Sequence, residues 1–493
     1  MLKNRSSLLK NFALRGAAAS ALLACAAAPV IAQAQGTAIT QSEAQQGAQY
    51  HPELLRQYGG AMSGPQAAYV GQVGRNIAVQ SGLANSQSAF TVTLLNSSVD
   101  NAFAIPGGYV YVTRQLAALM NNEAELAGVL GHEIGHVAAR HQAKREQAAT
   151  RNSLLGGLLG AVLGGVLGNS GIGQLGQQLV STGTQLATLK YSRSQETEAD
   201  SLGIRYLRGA GYDPHAMGTV LADLAAQNSL DSQLQGKDSS SVPQWASTHP
   251  DPASRVQAAL RQAGTATGLT NRDTYLTRMD GLLYGDDPHQ GVIEGNTFIH
   301  PDMRITFTAP SGFSMVNGGD AVSISGQSGK AQLSALPYNG DLESYVRQAF
   351  QAIGGSQTQL APQTLQRTTI NGIPAVIGQS RVSTSSGQVD VTVVGYEFSS
   401  GQAYHFAALS PAGRSSVFNP MFNSLRRISP AEAARVVPRK IRVITARPGD
   451  SVQSLAGAMA YPSGQEVRFR VLNGLSGNAQ VTPGQKYKLV VRG

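Results

Sequence analysis

The stretch LAGVLGHEIGHVAARH, residues Leu126–His141, decides the fold of the first half of the chain. His132 and His136 are four residues apart, so on a helix both imidazoles leave the same face one turn apart. That spacing lets two nitrogens reach one zinc ion at roughly 2.0–2.1 Å, with Glu133 placed to act as a general base. The alternative is a solvated helix face, but the small and apolar neighbours of the motif argue against it.

A catalytic zinc site needs a third protein ligand, and the segment YSRSQETEADSLG, residues 191–203, supplies one. Its Ser-x-x-Gln pattern predicts a capped helix on which Glu196 and Asp200 are four residues apart. We assign Glu196 to the metal and expect Asp200 to accept a hydrogen bond from the distal N–H of a ligand histidine. The alternative is an acidic helix start favoured by the helix dipole, and Glu198 on another face fits that interpretation.

The segment before the first motif predicts a small sheet. AFTVTLLNSS (89–98) alternates like a strand, and NAFAIPGGYVYVTR (101–114) has a Pro-Gly-Gly turn that leads into a strand over Tyr109–Thr113. We expect this strand to lie near the cleft and to bind an extended peptide by strand addition. The predicted substrate-binding residues are Asn101, Tyr109, Val110 and Tyr111.

Together these motifs resemble a known peptidase group. HEIGH followed by SRSQETEAD is similar to the gluzincin metallopeptidases of the CAAX prenyl protease, Oma-type and HtpX class, and the sequence over 99–141 is closest to the periplasmic BepA-like branch. The resemblance covers residues 41–285 and implies a mainly α zincin-type domain with a small β-sheet. It implies one Zn²⁺ per chain on His132, His136 and Glu196, with Glu133 as the base. Gln115 departs from the glycine that is usual in these relatives.

The stretch STHPDPASR, residues 247–255, matches a later His-Pro motif of the same group. The resemblance implies catalytic roles for His249 and Arg255, which could stabilise the oxyanion of the tetrahedral intermediate. His249 could instead sit on the metal in a latent form, where it replaces the attacking water. The alternative is an ordinary turn with a surface arginine. We expect His141 to be structural or solvated.

The first residues predict export. Four basic residues without an acid precede an apolar run and an Ala-Gln-Ala cleavage site, so residues 1–34 are interpreted as a signal peptide. LLAC at 22–25 also approximates a lipobox that would leave a lipid on Cys25, although we favour soluble export. Cys25 is the only cysteine, which excludes disulfides and cysteine catalysis in the mature chain. These features favour the periplasm of a Gram-negative bacterium, with outer-membrane association if Cys25 is lipidated.

Three further segments differ in composition from the peptidase region. Residues 152–176 are glycine-rich and predict a mobile flap, with peripheral membrane contact as a less favoured use. Residues 295–430 carry strand patterns around one helix and predict an α+β accessory domain. Residues 438–493 resemble a small LysM-like βααβ module, which implies peptidoglycan as a partner; the alternative is a basic capping domain. The ten Lys/Arg and three Asp/Glu of residues 431–493 suit an anionic envelope polymer or headgroup rather than nucleic acid.

These observations predict an exported zinc metalloendopeptidase that cleaves unfolded or misassembled envelope proteins, including outer-membrane proteins. Zinc and Glu133 would activate the attacking water. The alternative is a periplasmic chaperone or assembly factor with a latent metal site, which would use the same cleft. A third hypothesis, a cell-wall hydrolase, has support only from the LysM-like segment.

Overall fold

The structure is a computed structural model that describes residues 38–86, 88–145, 191–234, 249, 251–354, 359–384 and 387–493. The predicted signal peptide, Cys25 and the glycine-rich segment 152–176 lie outside the described residues. Of the helices that the structure describes, none has the length and apolar character needed to cross a bilayer. A helical part surrounds the H-E-x-x-H stretch, and a sheet-rich part follows it.

The helices of the first part begin where the sequence offers capping side chains. Asn122 accepts a hydrogen bond from the backbone N–H of Glu125, and Ser192 forms a capping box with Gln195, as predicted. The helix that carries the H-E-x-x-H motif is buried along nearly its whole length, so its histidines lie inside the protein. The helices are α1 Gln41–Gln57, α2 Pro65–Ala78, α3 Arg114–Leu119, α4 Glu123–Ala138, α5 Arg193–Gly209, α6 Ala216–Leu234, α7 Pro252–Ala263 and α8 Arg272–Met279.

A three-stranded sheet lies beside these helices. Its strands are β1 Thr91–Leu95, β2 Ala102–Ile105 and β3 Tyr109–Thr113, in the order β1-β3-β2. Strand β3 is parallel to β1 and antiparallel to β2, and therefore has a hydrogen-bonded neighbour on each side. The turn between β2 and β3 uses Gly107 and Gly108, both at positive φ. Strand β2 forms one edge of this sheet.

Helices α4 and α5 approach closely because small residues face each other where they cross. A Cβ atom added to Gly203 of α5 would lie 3.2 Å from the backbone nitrogen of His132. A Cβ atom added to Gly131 of α4 would lie 3.4 Å from the Cα of Gly203. The absence of side chains at these two positions lets the backbone that carries His132 lie against the backbone that carries Glu196.

The sheet-rich part starts at Val292 and contains two antiparallel sheets. The larger has the strand order β11-β12-β13-β14-β10-β9-β8, and the smaller has the order β15-β7-β6-β5. Helix α9, Leu342–Gly354, packs on one face of the larger sheet, and a second apolar cluster covers the other face. The strands are β5 Val292–Glu294, β6 Thr297–His300, β7 Ile305–Thr308, β8 Ser314–Asn317, β9 Val322–Gly326, β10 Gly329–Ser334, β11 Thr364–Ile370, β12 Ile373–Thr384, β13 Gly387–Ser399, β14 Gln402–Pro411 and β15 Arg426–Arg427; the short helices α10, Asn419–Ser424, and α11, Pro430–Ala433, follow in the same part of the chain.

The last described residues form a β-α-α-β unit that packs against the helical part. Its elements are β16 Arg439–Thr445, α12 Val452–Gly457, α13 Gln465–Leu472 and β17 Lys486–Arg492. Strand β16 pairs with β17 on one side and with the short strand β4, Leu283–Tyr284, on the other. Apolar residues of this unit belong to the same core as those of α4 and α5. The unit is therefore continuous with the helical part instead of hanging from it as a separate module.

Lys488 lies at the junction between this unit and the helical part. Its side chain is fully buried, and its Nζ donates hydrogen bonds to the carbonyl oxygens of Ala118, Leu119 and Met120 at 2.7, 2.9 and 2.6 Å. These carbonyls lie at the end of α3, where a helix leaves its last carbonyl groups without partners inside the helix. A side chain from the end of the chain thus caps a helix that directly precedes α4.

Candidate active site

The two histidines of the H-E-x-x-H motif turn the same ring nitrogen toward one point. The Nε2 atoms of His132 and His136 are 3.0 Å apart, and both side chains are almost completely buried. The Nδ1 of His132 lies 2.9 Å from an Asp200 oxygen, as predicted for the partner of a ligand histidine. Because Nδ1 donates to Asp200, the Nε2 lone pair of His132 is available to a metal ion.

Glu196 reaches the same point from α5. Its Oε1 is 3.5 Å from His136 Nε2, its Oε2 is 3.7 Å from His132 Nε2, and 1% of the residue is exposed. The capping box at Ser192 fixes the start of α5, so Glu196 lies in the first helical turn and points into the protein. The structure therefore brings together the three predicted ligands from two distant segments.

His249 completes a set of four donors. Its Nδ1 lies 3.2 Å from His132 Nε2 and 3.0 Å from Glu196 Oε1. One ligand atom from each of His132, His136, Glu196 and His249 lies within 4.8 Å of the others, and all four residues are buried. Four donors at roughly 2.0–2.2 Å from one zinc ion in a tetrahedron lie about 3.3–3.6 Å apart, so the observed spacing fits one such ion.

Glu133 lies next to this set but outside it. Neither of its carboxylate oxygens accepts a hydrogen bond from the described residues, and its nearest ionisable partner is His249 Nε2 at 3.5 Å. Burial raises the pKa of Glu133, partly offset by the charges of His249 and His132. A buried carboxylate that is free of hydrogen-bond donors can take up a proton, which is what a general base must do.

The ligand groups have the ionisation states that metal binding requires. Burial holds the pKa of His136 well below its usual value, so the ring is neutral at neutral pH. Burial alone would raise the pKa of Glu196, but His249, His136 and His132 around it reverse the shift and hold the pKa far below the usual range. The site thus offers a neutral imidazole at His136 and an ionised carboxylate at Glu196.

Arg255 occupies a different place from the one predicted for an oxyanion-stabilising group. Its Nε and Nη2 donate to the two oxygens of Asp200 at 2.7 and 2.5 Å, and its Nη1 donates to Glu196 Oε2 at 2.5 Å. The guanidinium is buried and its donors face these two carboxylates. Arg255 therefore holds Asp200 and Glu196 in position. Its two hydrogen bonds to Asp200 fix the orientation of that carboxylate.

The predicted substrate-binding residues lie in the sheet rather than around the metal donors. Val110 and Tyr111 are fully buried, Asn101 is buried, and the Tyr111 hydroxyl is 2.7 Å from His51 Nδ1 of α1. Strand β3, which contains Tyr109, has β1 and β2 on its two sides and so has no edge for an added peptide strand. The expectation that β3 binds the peptide by strand addition is wrong for this reason, and the edge belongs to β2.

A cavity of about 70 Å³ separates β2 from the end of α4. Ala104 and Ile105 of β2 line one side, and His136 and Val137 line another. Tyr191 also lines it, and its ring stacks on His136 with 3.8 Å between ring centroids. The sequence interpretation did not assign Tyr191 a role, although its position directly before the capped helix α5 placed it near Glu196.

Residues 65–263 match the family described as Peptidase family M48. This stretch of the helical part is similar to an M48 peptidase domain. M48 metallopeptidases are zinc-dependent, and the matched stretch holds a buried histidine and glutamate group that could bind one metal ion. The M48-like region and the sheet-rich region after it agree with the predicted order of these two regions; the LysM-type identity of the last unit remains a prediction.

Named relatives support a metalloendopeptidase. The chain is 31% identical over 271 residues to the beta-barrel assembly-enhancing protease of Escherichia coli K12, which covers 53% of each chain. It is 29% identical over 211 residues to the mitochondrial metalloendopeptidase OMA1 of Schizosaccharomyces pombe, covering 42% of this chain and 57% of that one. The chain spans about half the length of the curated relatives it matches.

Proposed function

We propose that this protein is an exported zinc metalloendopeptidase that cleaves unfolded or misassembled envelope proteins, including outer-membrane proteins. The observation that carries the proposal is the convergence of His132, His136, Glu196 and His249 beside the buried carboxylate of Glu133, which accepts no hydrogen bond from the part of the chain that the structure describes. A structural metal site would not need a free carboxylate at its edge, whereas hydrolysis needs a base there.

In this proposal, different residues of the chain have separate roles in peptide hydrolysis. His132, His136 and Glu196 would hold zinc, and the bound ion would supply Lewis-acid chemistry to the site. Glu133 takes a proton from the attacking water and delivers it to the leaving nitrogen. Asp200 and Arg255 keep His132 and Glu196 in the orientation that metal binding requires.

His249 gives the site a resting form. Its imidazole occupies the fourth donor position, where a catalytic site keeps room for water. Hydrolysis therefore requires His249 to leave this position, after which its ring can donate to the oxyanion. The same observation favours the second candidate function, a periplasmic chaperone or assembly factor whose metal site is latent.

The edge strand β2 supports peptide substrates in an extended form. A peptide added to this edge would run along the cavity that His136 lines. Main-chain hydrogen bonds read the backbone rather than the side chains, so we expect loose sequence preference. A folded protein does not offer a free extended segment of this kind, which limits the substrates to unfolded or misassembled chains.

The setting of the protein is part of the same proposal. The predicted signal peptide and the periplasmic BepA-like resemblance support export to the periplasm of a Gram-negative bacterium. Lipidation of Cys25 would add an outer-membrane anchor. The proposal includes two further partners. One is peptidoglycan, bound through residues 438–493, and the other is the membrane surface, contacted peripherally through residues 152–176.

Cleavage of an unfolded protein by purified full-length chain tests the proposal. We expect the parent to cleave reduced, unfolded casein-like substrates, chelation to abolish cleavage, and zinc to restore it. Glu133→Gln should lower the rate by at least about 100-fold, since general-base catalysis contributes roughly 10²–10⁴-fold. Glu53→Gln, an exposed change on α1, is the control and should cleave like the parent.

Cells that carry only Glu133→Gln then separate the two candidate functions. Loss of envelope-protein quality control in these cells supports the peptidase. Full activity in cells would overturn it and favour the chaperone.

A further inference from the structure

We propose that His141 and Glu198 form a positioning chain that orients the ligand ring of His136, a proposal that rests on the metal site of the proposed function. The Nδ1 of His136 lies 2.8 Å from the Nδ1 of His141. On the other side of that ring, His141 Nε2 lies 3.1 Å from Glu198 Oε2. The two contacts link a metal-ligand ring to a carboxylate through one intervening imidazole.

Only one arrangement of protons satisfies every contact of this chain. When His136 holds the metal of the proposed function, its Nε2 lone pair must be free, because Nε2 is the nitrogen that converges with the donors of His132 and Glu196. Its proton is then on Nδ1 and is donated to Nδ1 of His141, which must accept. His141 therefore carries its own proton on Nε2 and donates it to Glu198. Each link determines the tautomer of the next, ending with the nitrogen that His136 presents to the metal.

The backbone brings His141 into place by leaving the helix. Helix α4 ends at Ala138, and Arg140 has a φ of 53°, in the left-handed region. The chain turns there, so His141 returns beneath His136, whereas five residues farther along a continuous helix would face elsewhere. The Gln195 side chain donates to the backbone oxygen of His141 at 3.2 Å, which ties this turn to the start of α5.

The environment of His141 suits a positioning role. The side chain of His141 is fully buried, while that of Glu198 is 52% exposed. A ring that is buried with both nitrogens engaged has lost its freedom to rotate, and it therefore fixes the plane of His136. The stacked ring of Tyr191 supports His136 from its face.

The Nδ1 atoms of His132 and His136 thus have different hydrogen-bond acceptors. His132 donates to Asp200, a carboxylate that Arg255 grips with two hydrogen bonds. His136 donates to a neutral ring whose carboxylate is half open to solvent. Groups behind metal ligands typically contribute about 10–100-fold in metal affinity. We expect removal of His141 to fall in this range, and removal of Glu198 to have a smaller effect.

The test measures zinc affinity of the full chain by competition with a chromophoric chelator. All proteins also carry Glu133→Gln, so that the result does not depend on peptide cleavage. His141→Phe keeps a ring but removes both nitrogens, Glu198→Ala removes the acceptor, and Glu198→Gln keeps a carbonyl oxygen that can accept from His141. The control is His215→Phe, because His215 is also paired to a carboxylate, at 2.8 Å from Asp213, but lies outside the site.

We expect His141→Phe to weaken zinc binding about 10–100-fold, Glu198→Ala about 3-fold, and Glu198→Gln and His215→Phe less than 2-fold. Glu198→Ala should add nothing in the His141→Phe protein, because the link is already lost. The visible spectrum of bound cobalt(II) should change with His141→Phe and not with His215→Phe.

Zinc affinity within 2-fold of the parent for both His141→Phe and Glu198→Ala would overturn the proposal. Full additivity of the two changes would overturn it as well, because independent sites add. Glu198→Ala lies on a half-exposed position and keeps the test informative if His141→Phe fails to fold. If the protein with its native Glu133 binds zinc without cleaving peptides, the proposed function is overturned and the His141–Glu198 link stands; if that protein has no zinc affinity, both are overturned.

Discussion

Two buried polar clusters lie along helix α4, and they differ in the groups that accompany their buried carboxylates. Near its first turn, Glu125 and Asp223 act electrostatically on the buried amine of Lys488, whose pKa burial lowers to about 7. Two turns later, Glu196 and Asp200 face Arg255 and a set of imidazole donors arranged for an ion. The first cluster takes its cation entirely from the chain, whereas the second leaves part of its positive charge to a metal. The comparison shows that Glu196 is a candidate metal ligand because imidazole nitrogens converge on it in addition to Arg255, whereas among the described residues no such group of donors surrounds Glu125.

The largest effect is expected in the first cluster. Lys488→Ala leaves three buried carbonyl oxygens without their donor, so it should lower the free energy of unfolding by about 4 kcal/mol. Urea unfolding followed by far-UV circular dichroism measures this loss. Lys486→Ala, two residues earlier with its Nζ on the exposed Thr277 hydroxyl, is the control and should cost about 0.5 kcal/mol. If Lys488→Ala and Lys486→Ala lower the free energy of unfolding equally, the buried position of Lys488 has no special importance for stability.

Metal removal should act on the second cluster alone. At a free zinc concentration of about 100 times the dissociation constant, zinc should stabilise the protein by about 3 kcal/mol, and a chelator should abolish this gain. The gain should be the same in Lys488→Ala, because distant sites add within about 0.5 kcal/mol. Melting curves with and without zinc measure it, and Glu196→Ala should show a much smaller gain. A zinc effect that disappears in Lys488→Ala would mean that the two clusters act as one.

His405 of the sheet-rich region is a third case, a buried ionisable group without an opposite charge. Burial lowers the pKa of His405 to about 4, from an ordinary value near 6.5. Between these values the unfolded chain binds a proton that the folded chain does not, so stability is lost as the pH falls from about 6.5 toward 4. The loss should reach about 3 kcal/mol at pH 4.

Hydrogen exchange in strands β13 and β14 across this pH range measures the effect locally. His405→Gln should flatten the pH dependence in these strands while leaving the rest of the protein unchanged. An unaltered pH profile in this variant would assign the acid sensitivity to other groups.

The smallest effect is expected where α4 and α5 cross. Gly203→Ala would place a Cβ 3.2 Å from the backbone nitrogen of His132 and 2.5 Å from the flexible end of Met217. The helices must separate slightly, which should cost about 1 kcal/mol and weaken zinc binding because His132 and Glu196 move apart. Gly457→Ala, where the added Cβ meets open space, should be neutral or slightly stabilising. Zinc affinity and urea unfolding of both variants give the comparison.

The convergence of the three predicted ligand residues could be expected because each has a local signal. Any helix places two residues four apart on the same face, so the spacing of His132 and His136 predicted that they lie together. The capping box before Glu196 fixes the start of the second helix. Asp200 followed from the same periodicity. Local periodicity failed at His141, since α4 ends at Ala138 and the left-handed Arg140 redirects the chain. No helical spacing can predict a contact that depends on a turn.

Contacts between distant segments were the other limit. The alternation of β3 predicted a strand but carries no information on its neighbours, so the central position of β3 and the edge position of β2 could not be read from it. Arg255 was correctly brought to the site, but the partners of its guanidinium depend on the packing of α7 against α5. Lys488 looked like one more charge of a basic tail, because nothing near it along the chain indicates that it is buried.

The burial of Lys488 has a consequence for the order in which the molecule is completed. Lys488 follows Ala118, whose carbonyl it binds, by 370 residues along the chain. A ribosome therefore makes the whole catalytic helix long before it makes the side chain that closes the core beside it. The core beside α4 therefore remains incomplete throughout most of translation, which separates the synthesis of the candidate site residues from the completion of the core around them.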